Sequence, residues 1–251
     1  PSNPLDVYGM SKRALDFMKR SSDEGKPFFV QISYYPLHEE QEASPATLLR
    51  VKSRPVGKIH HDYTVAAITE DLDSGVGVLL DGLDELGLTD NTYIIYMGDN
   101  GQRAYEHNIN CSFEEVCVNR EENAALLGAK GNVSEGGIRV PFIIKGPGIN
   151  KNSWSHTQVV GYDLFPTFAE LAGIDKDDLP DAIEGGSINS ILKNNGSGQV
   201  ERIKEELVFH FPHYQDGSPQ SAIFLDNYKL IKYYEINKSA LFNIVDDIGE
   251  K

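Results

Sequence analysis

Apolar residues recur along this chain with two different periods. Between about His61 and Leu86, the residues Ile68, Leu72, Val76, Leu79, Leu83 and Leu86 fall three or four positions apart, while Glu70, Asp71, Asp73, Asp81, Asp84 and Glu85 lie off that stripe. The spacing predicts an amphipathic helix that Gly87 ends. Interior Gly75 and Gly77 each cost about 1 kcal/mol of helix propensity against alanine and so mark close packing. A shorter helix is predicted over residues 8–21, with Ala14, Leu15, Phe17 and Met18 on its apolar face and Gly25-Lys26-Pro27 as its breaker. Phe28 to Ser33 reads as a strand. Tyr93 to Met97 and Val140 to Ile144 are apolar runs closed by Gly98-Asp99-Asn100-Gly101 and Gly146-Pro147-Gly148, the pattern of fully buried parallel strands.

The remaining chain changes character. Residues 102–127 carry no periodicity and read as a long loop. Asp163 to Ala172 reads as a helix, with Asp163 as its cap and Pro166 in its first turn. After the polar stretch ending in Lys193-Asn194-Asn195-Gly196-Ser197-Gly198 come four strand-like runs, Leu207 to Phe211, Ser221 to Leu225, Tyr228 to Tyr234 and Leu241 to Ile244. Asp226-Asn227 supplies the turn of an antiparallel hairpin. The expected fold class is therefore α/β: a largely parallel central sheet over residues 1–198, then a small antiparallel α+β subdomain over residues 199–251.

Composition narrows the function classes. A formal net charge of −15 argues against nucleic acid and against anionic membrane surfaces, and it requires any site for an anion to be locally positive. No run of 18 apolar residues is present, so no membrane insertion is expected. Oligomeric state is not legible. Cys111 and Cys117 read equally as a small disulfide or as two thiols.

Candidate chemistry collects on two glycine-rich segments. Asp99 and Asn100, at the carboxyl end of a strand, offer a carboxylate and an amide oxygen, both hard ligands for a metal ion. Asp-Asn-Gly suits an ordinary turn equally well. Lys130, between Gly128 and Gly131, places a compact ammonium where backbone closely approaches a ligand, which suits a sulfate or phosphate oxygen; a solvated loop charge is the alternative. Glu135-Gly136-Gly137 reads as a tight turn needing unusual backbone angles, and Glu135 with Arg139 as an ion pair bracing it.

Together these segments resemble a type I sulfatase of the alkaline-phosphatase superfamily. The resemblance is carried by Lys26-Pro27-Phe28-Phe29-Val30-Gln31-Ile32-Ser33-Tyr34-Tyr35-Pro36-Leu37-His38, by Asp99-Asn100-Gly101, by Gly128-Ala129-Lys130-Gly131 with Glu135-Gly136-Gly137-Ile138-Arg139-Val140-Pro141, and by Asp163-Leu164-Phe165-Pro166-Thr167. It implies that Asp99 and Asn100 are calcium ligands, that Lys130 binds the sulfate group, and that His38 contacts the sulfate and protonates the leaving oxygen. It further implies that His210 and His213, in His210-Phe211-Pro212-His213-Tyr214, face the substrate cleft; packed histidines beside a proline-bent loop are the alternative. Leu126-Leu127 departs from the pattern, since relatives often carry an arginine just before the Gly-x-Lys-Gly element.

The family's nucleophile is a formylglycine made from the first residue of Cys/Ser-x-Pro-x-Arg, and that motif does not occur in this sequence. Ser53-Arg54-Pro55-Val56-Gly57 ends in glycine and follows His38. The expectation is a carboxyl-terminal portion of a longer enzyme, with formylglycine and the remaining calcium ligands upstream and no turnover by this portion alone. The implied partner is a sulfated small molecule or glycan, in an extracytoplasmic compartment. A phosphodiesterase or phosphonate hydrolase of the same superfamily and a non-catalytic module binding sulfated glycans are the competing readings. Asn110, Asn132, Asn195 and Asn237 match the glycosylation acceptor pattern, which is short and frequent by chance.

Overall fold

The computed structural model describes residues 3–38, 41–57, 61–102, 109–113, 116–119, 126–214 and 218–251. The chain divides into two compact units, Pro1–Thr92 and Tyr93–Lys251.

The first unit is helical. Helix α1 spans Val7–Asp23, α2 Pro45–Lys52 and α3 Tyr63–Glu85. Asp62 starts α3 by accepting hydrogen bonds from the N–H groups of Thr64 and Val65. The expected stripe is the buried one: Ile68, Leu72, Leu79 and Leu83 all face inward. Helices α1 and α3 meet over glycine, since a Cβ on Gly75 would lie 2.0 Å from Val7 Cγ1 and one on Gly82 would lie 2.3 Å from Leu15 Cδ1. Gly77, by contrast, faces open space, so only Gly75 of the two expected positions marks close packing. Asp71 corrects the pattern in another way. It is buried, because its carboxylate accepts from Ser44 N–H at 2.7 Å and from Thr47 Oγ1 at 2.6 Å and so fixes the start of α2.

Residues 28–35 are extended, with burial alternating residue by residue, yet they pair with no other strand among the described residues. The expected period of two is present without the ladder. The segment is held partly by Tyr34, whose hydroxyl lies 2.7 Å from Ser11 Oγ, while Ser11 also donates to the carbonyl of Gly75 at 2.8 Å.

The second unit holds the strands. Strand β1 (Ile94–Met97) pairs antiparallel with β4 (Phe142–Lys145), with Ile94 opposite Lys145 and Met97 opposite Phe142. Every strand pair among the described residues is antiparallel, which corrects the expectation of buried parallel strands. An apolar run specifies burial and not the direction of its partner. The β1–β4 connection contains the hairpin of β2 (Ile109–Phe113) and β3 (Val116–Asn119) and the single helical turn α4 (Glu135–Ile138). The hairpin also corrects the reading of residues 102–127 as structureless loop; Cys111 and Cys117 are opposite each other in its register. Strand β4 alternates half-buried with exposed positions because only one face is covered.

Helix α5 (Leu164–Leu171) forms where expected, but Asp163 does not cap it through its side chain. That carboxylate is taken up by Arg202, at 2.8 and 2.6 Å in a two-pronged contact, and by the N–H groups of Val160 and Gly186. Helix α6 (Asn189–Lys193) follows. The last element is a four-stranded antiparallel sheet in sequence order, β5 (Leu207–Phe211), β6 (Gln220–Leu225), β7 (Tyr228–Tyr233) and β8 (Lys238–Asn243). The bounds of β5 to β7 fall within one residue of the expected runs, while β8 begins three residues before the expected Leu241, and Asp226 adopts the positive φ that the tight turn requires. The inner face of this sheet, through Leu207, Ala222, Phe224, Ile231 and Tyr233, forms one apolar core with Val133 and Ile138. The fold is α/β, ending in a small antiparallel sheet that packs against the segment carrying Lys130.

Candidate active site

The two glycine-rich segments singled out by sequence are joined through their backbones. The N–H of Gly101 donates to the carbonyl of Gly137 at 2.8 Å, and the N–H of Lys130 donates to the carbonyl of Gln102 at 2.8 Å. The N–H of Gly98 donates to Pro141, continuing the line of contact from β1 and β4. Glycine is required here for proximity. A Cβ on Gly101 would stand 1.7 Å from the Gly136 carbonyl oxygen, and one on Gly136 would stand 2.3 Å from that of Gly128. Gly136 and Gly137 lie within the helical turn α4 with ordinary backbone angles, so the expected unusual conformation is absent at this pair. It occurs instead at Gly128 and Gly131, with φ of 78° and 83°, on either side of Ala129-Lys130.

Asp99 is exposed, and its Oδ1 accepts from the N–H of Asn100 at 2.9 Å, leaving Oδ2 for another ligand. Asn100 donates through Nδ2 to the carbonyl of Gly101, which commits its amide nitrogen and frees its oxygen. One carboxylate oxygen and one amide oxygen fit a hard cation such as calcium in kind. They do not fit it in number, since calcium takes six to eight oxygens. Among the described residues no group of three or more His, Cys, Asp or Glu side chains converges on one point. Lys130 is half-buried on the loop between Gly128 and Gly131.

Glu135 and Arg139 form the expected ion pair, Arg139 Nη1 to Glu135 Oε2 at 3.0 Å. Sequence reasoning missed the other half of this cluster. Lys229 of β7 reaches Glu135 Oε1 at 3.0 Å and Glu250 Oε1 at 2.8 Å, and Glu250 Oε2 accepts from the N–H of Glu135. One signal was available: Lys229 occupies a position that alternation along β7 turns inward, between exposed Tyr228 and Leu230.

The histidines belong to different elements of the chain. His38 belongs to the first unit, where it is exposed and its N–H donates to the carbonyl of Tyr35 at 3.0 Å. His210 is exposed on β5, with Nδ1 lying 2.6 Å from Ser221 Oγ, which in turn lies 2.9 Å from Tyr234 Oη. Alternation puts His210 and Ser221 on the sheet face opposite Gln220 and Lys229, the two residues that reach the Lys130 segment. His213 follows β5 and stacks edge-on against Phe211, with 5.3 Å between ring centroids. His107 and His60 lie outside the described residues, and His61 and His156 are exposed. Asn132 is buried beside Gln220, so its acceptor triplet does not offer an accessible asparagine.

The family model described as sulfatase matches residues 7–174, and that of the carboxyl-terminal region of N-sulphoglucosamine sulphohydrolase matches residues 129–251. The chain belongs to the sulfatase family. It is 33% identical over 281 residues to a sulfatase of Formosa agariphila, an alignment covering 99% of this chain and 47% of that protein. Similarity to the steryl-sulfatase of Rattus norvegicus is 31% over 219 residues, covering 83% of this chain and 33% of the relative. The chain thus spans half or less of these sulfatases. Among solved structures, that of Ps i-CgsB in complex with k-i-k-neocarrahexaose superposes with a TM-score of 0.75 at 24% identity, over 98% of this chain and 49% of the neighbour. That likeness establishes the shared fold. No helix among the described residues is long and apolar enough to cross a membrane.

Proposed function

We propose that this chain supplies the sulfate-binding half of a calcium-assisted sulfatase that hydrolyses sulfate esters. The observation that carries the reading is the backbone union of the Asp99-Asn100-Gly101 turn with the Gly128–Gly137 segment, which brings hard-oxygen donors and an ammonium onto adjoining glycine-rich backbone. A tetrahedral anion needs that combination, because the charge on its equatorial oxygens grows as the ester bond breaks.

Within this reading Lys130 binds and orients one sulfate oxygen through its ammonium, and the close-packed glycines around it hold the lysine backbone rigid. Asp99 and Asn100 would hold calcium together with ligands from sequence beyond these 251 residues. The ion, when bound, would act as a Lewis acid that neutralises charge on the sulfate oxygens. His38 gives a proton to the departing alkoxide or phenoxide, a general-acid role that an imidazolium side chain can take. The formylglycine nucleophile belongs to a Cys/Ser-x-Pro-x-Arg motif that this sequence lacks, so the 251 residues alone are expected to be inactive. Of the two carboxyl-terminal histidines, His213 lies past the end of β5 that pairs with Gln220, a residue bonded to the Lys130 segment, and is the better placed to touch the alcohol part of the ester. His210 is the weaker substrate-binding assignment. We extend the reading to a sulfated small molecule or glycan as substrate and to an extracytoplasmic site of action.

The test is to express the full-length protein with a formylglycine-generating enzyme and to compare aryl sulfate with aryl phosphate, with calcium and with chelator. Calcium-dependent release of sulfate supports the reading. Preference for phosphate would move the protein to the phosphodiesterase branch, and silence on both substrates would favour a binding module for sulfated glycans.

A further inference from the structure

Three heavily buried charges of the second unit lie behind the Lys130 segment, in a cluster that the catalytic reading does not use. Lys229 is 0% exposed, and Glu135 and Glu250 are each 3% exposed. They come from three separate stretches: α4, strand β7, and the turn that follows β8. The Lys229 ammonium lies 3.0 Å from Glu135 Oε1, 2.8 Å from Glu250 Oε1 and 4.9 Å from the centroid of the Phe224 ring. Glu250 Oε2 accepts from the N–H of Glu135 at 2.8 Å, and Arg139 holds the second oxygen of Glu135. Two cations thus balance two carboxylates. Burying charge is costly unless each group is paired, and core stability alone is often served as well by apolar residues of similar volume. An ionic cluster at this place therefore calls for a reason beyond cohesion.

The geometry supplies one. Glu135 begins the turn whose glycines lock onto the Lys130 segment: Gly136 N–H donates to the Leu127 carbonyl at 2.7 Å, and Gly137 accepts from Gly101. Gln220 of β6 adds a further hold, accepting from the N–H of Val133 and donating to Asn132. Movement of Glu135 would carry both glycines, and through them the backbone on either side of Lys130.

We propose that Lys229 and Glu250 are positioning residues that fix Glu135 and thereby hold the Gly128–Ile138 segment in the conformation that presents the Lys130 ammonium to a tetrahedral anion. The inference rests on the sulfatase reading above. It assigns to the inner face of the carboxyl-terminal sheet a task in anion binding. Neither residue touches substrate; both act through Lys130.

A double-mutant cycle in the full-length, formylglycine-bearing enzyme tests this with an aryl sulfate. Lys229→Met leaves buried Glu250 without a cation and endangers folding, so Glu250→Gln, which keeps the shape and removes the charge, carries the test; thermal unfolding verifies that it folds. Glu250→Gln should lower kcat/KM by about 10- to 100-fold, the penalty of displacing a catalytic group by about an ångström. In a Lys130→Ala background the same change should cost less than about twofold, because residues acting through one group are not additive. Multiplying losses, or an unchanged kcat/KM for Glu250→Gln alone, would overturn the inference and leave the sulfatase reading intact if Lys130→Ala is itself impaired. An unimpaired Lys130→Ala would overturn both.

Discussion

Gly101 and Gly137 approach so closely that the N–H of the first donates to the carbonyl of the second at 2.8 Å, with no room between their segments for a side chain. This contact joins the backbones of two motifs that are 27 residues apart from Gly101 to Gly128. Gly101→Ala would drive a methyl group into the Gly136 carbonyl. The expected cost is about 1–3 kcal/mol, the range for overpacking, read by chemical denaturation, with loss of sulfate hydrolysis in the full-length enzyme. An alanine variant of unchanged stability would show that the two segments separate freely.

The glycines of α3 separate packing from propensity. Gly77→Ala faces open space and should stabilise by up to about 1 kcal/mol through helix propensity alone. Gly75→Ala, whose Cβ would meet Val7 at 2.0 Å, should destabilise instead. Opposite shifts in denaturation midpoint are the expected result; equal shifts would contradict the α1–α3 contact.

Asp163 is buried with Arg202 as its cation, and Arg202→Met would leave the carboxylate without one. Removing one partner of a buried pair costs about 3–5 kcal/mol. Unfolding by denaturant should show a loss of that order, whereas a loss under about 1 kcal/mol, typical of surface pairs, would mean that water replaces the arginine.

Burial raises the carboxyl of Glu250 above its ordinary value of 4.5, and Glu135 adds to the rise, while Lys229 and the N–H of Glu135 oppose it. Arg139 is the other charged group of the cluster. An acid whose pKa is higher in the folded state binds more protons there between the two values. Its contribution to stability is therefore full below about pH 4.5 and is lost as pH rises through the raised value. Thermal unfolding of wild type and Glu250→Gln across this range should show their difference drifting in favour of the variant as pH rises. A difference independent of pH, or one drifting the other way, would contradict the burial of an ionisable Glu250.

Much of this architecture was legible because periodicity carries burial. Helix α3 and strands β5 to β7 repeat the apolar pattern closely, whereas Phe17, expected on the apolar face of α1, is 42% exposed. The antiparallel pairing of β1 with β4 was not legible, since an apolar run specifies burial and not the direction of its partner. Helix α2 escaped notice because it is eight residues long and fixed by Asp71, a contact 24 residues away from Thr47. At the candidate site, the glycine-rich segments carrying Asp99, Asn100 and Lys130 were legible as motifs and are joined through their backbones, and the Glu135–Arg139 pair expected to brace its turn is present. The Lys229–Glu250 half was not, because it joins three segments far apart in sequence and Glu250 carries no local signal.

The central claim is that Lys130 binds the sulfate group. Steady-state hydrolysis of an aryl sulfate by the full-length, formylglycine-bearing enzyme should fall by about 10²- to 10³-fold in kcat/KM on Lys130→Ala, as expected for loss of one charge-stabilising group. A folded Lys130→Ala enzyme that turns over sulfate at the wild-type rate would contradict the account.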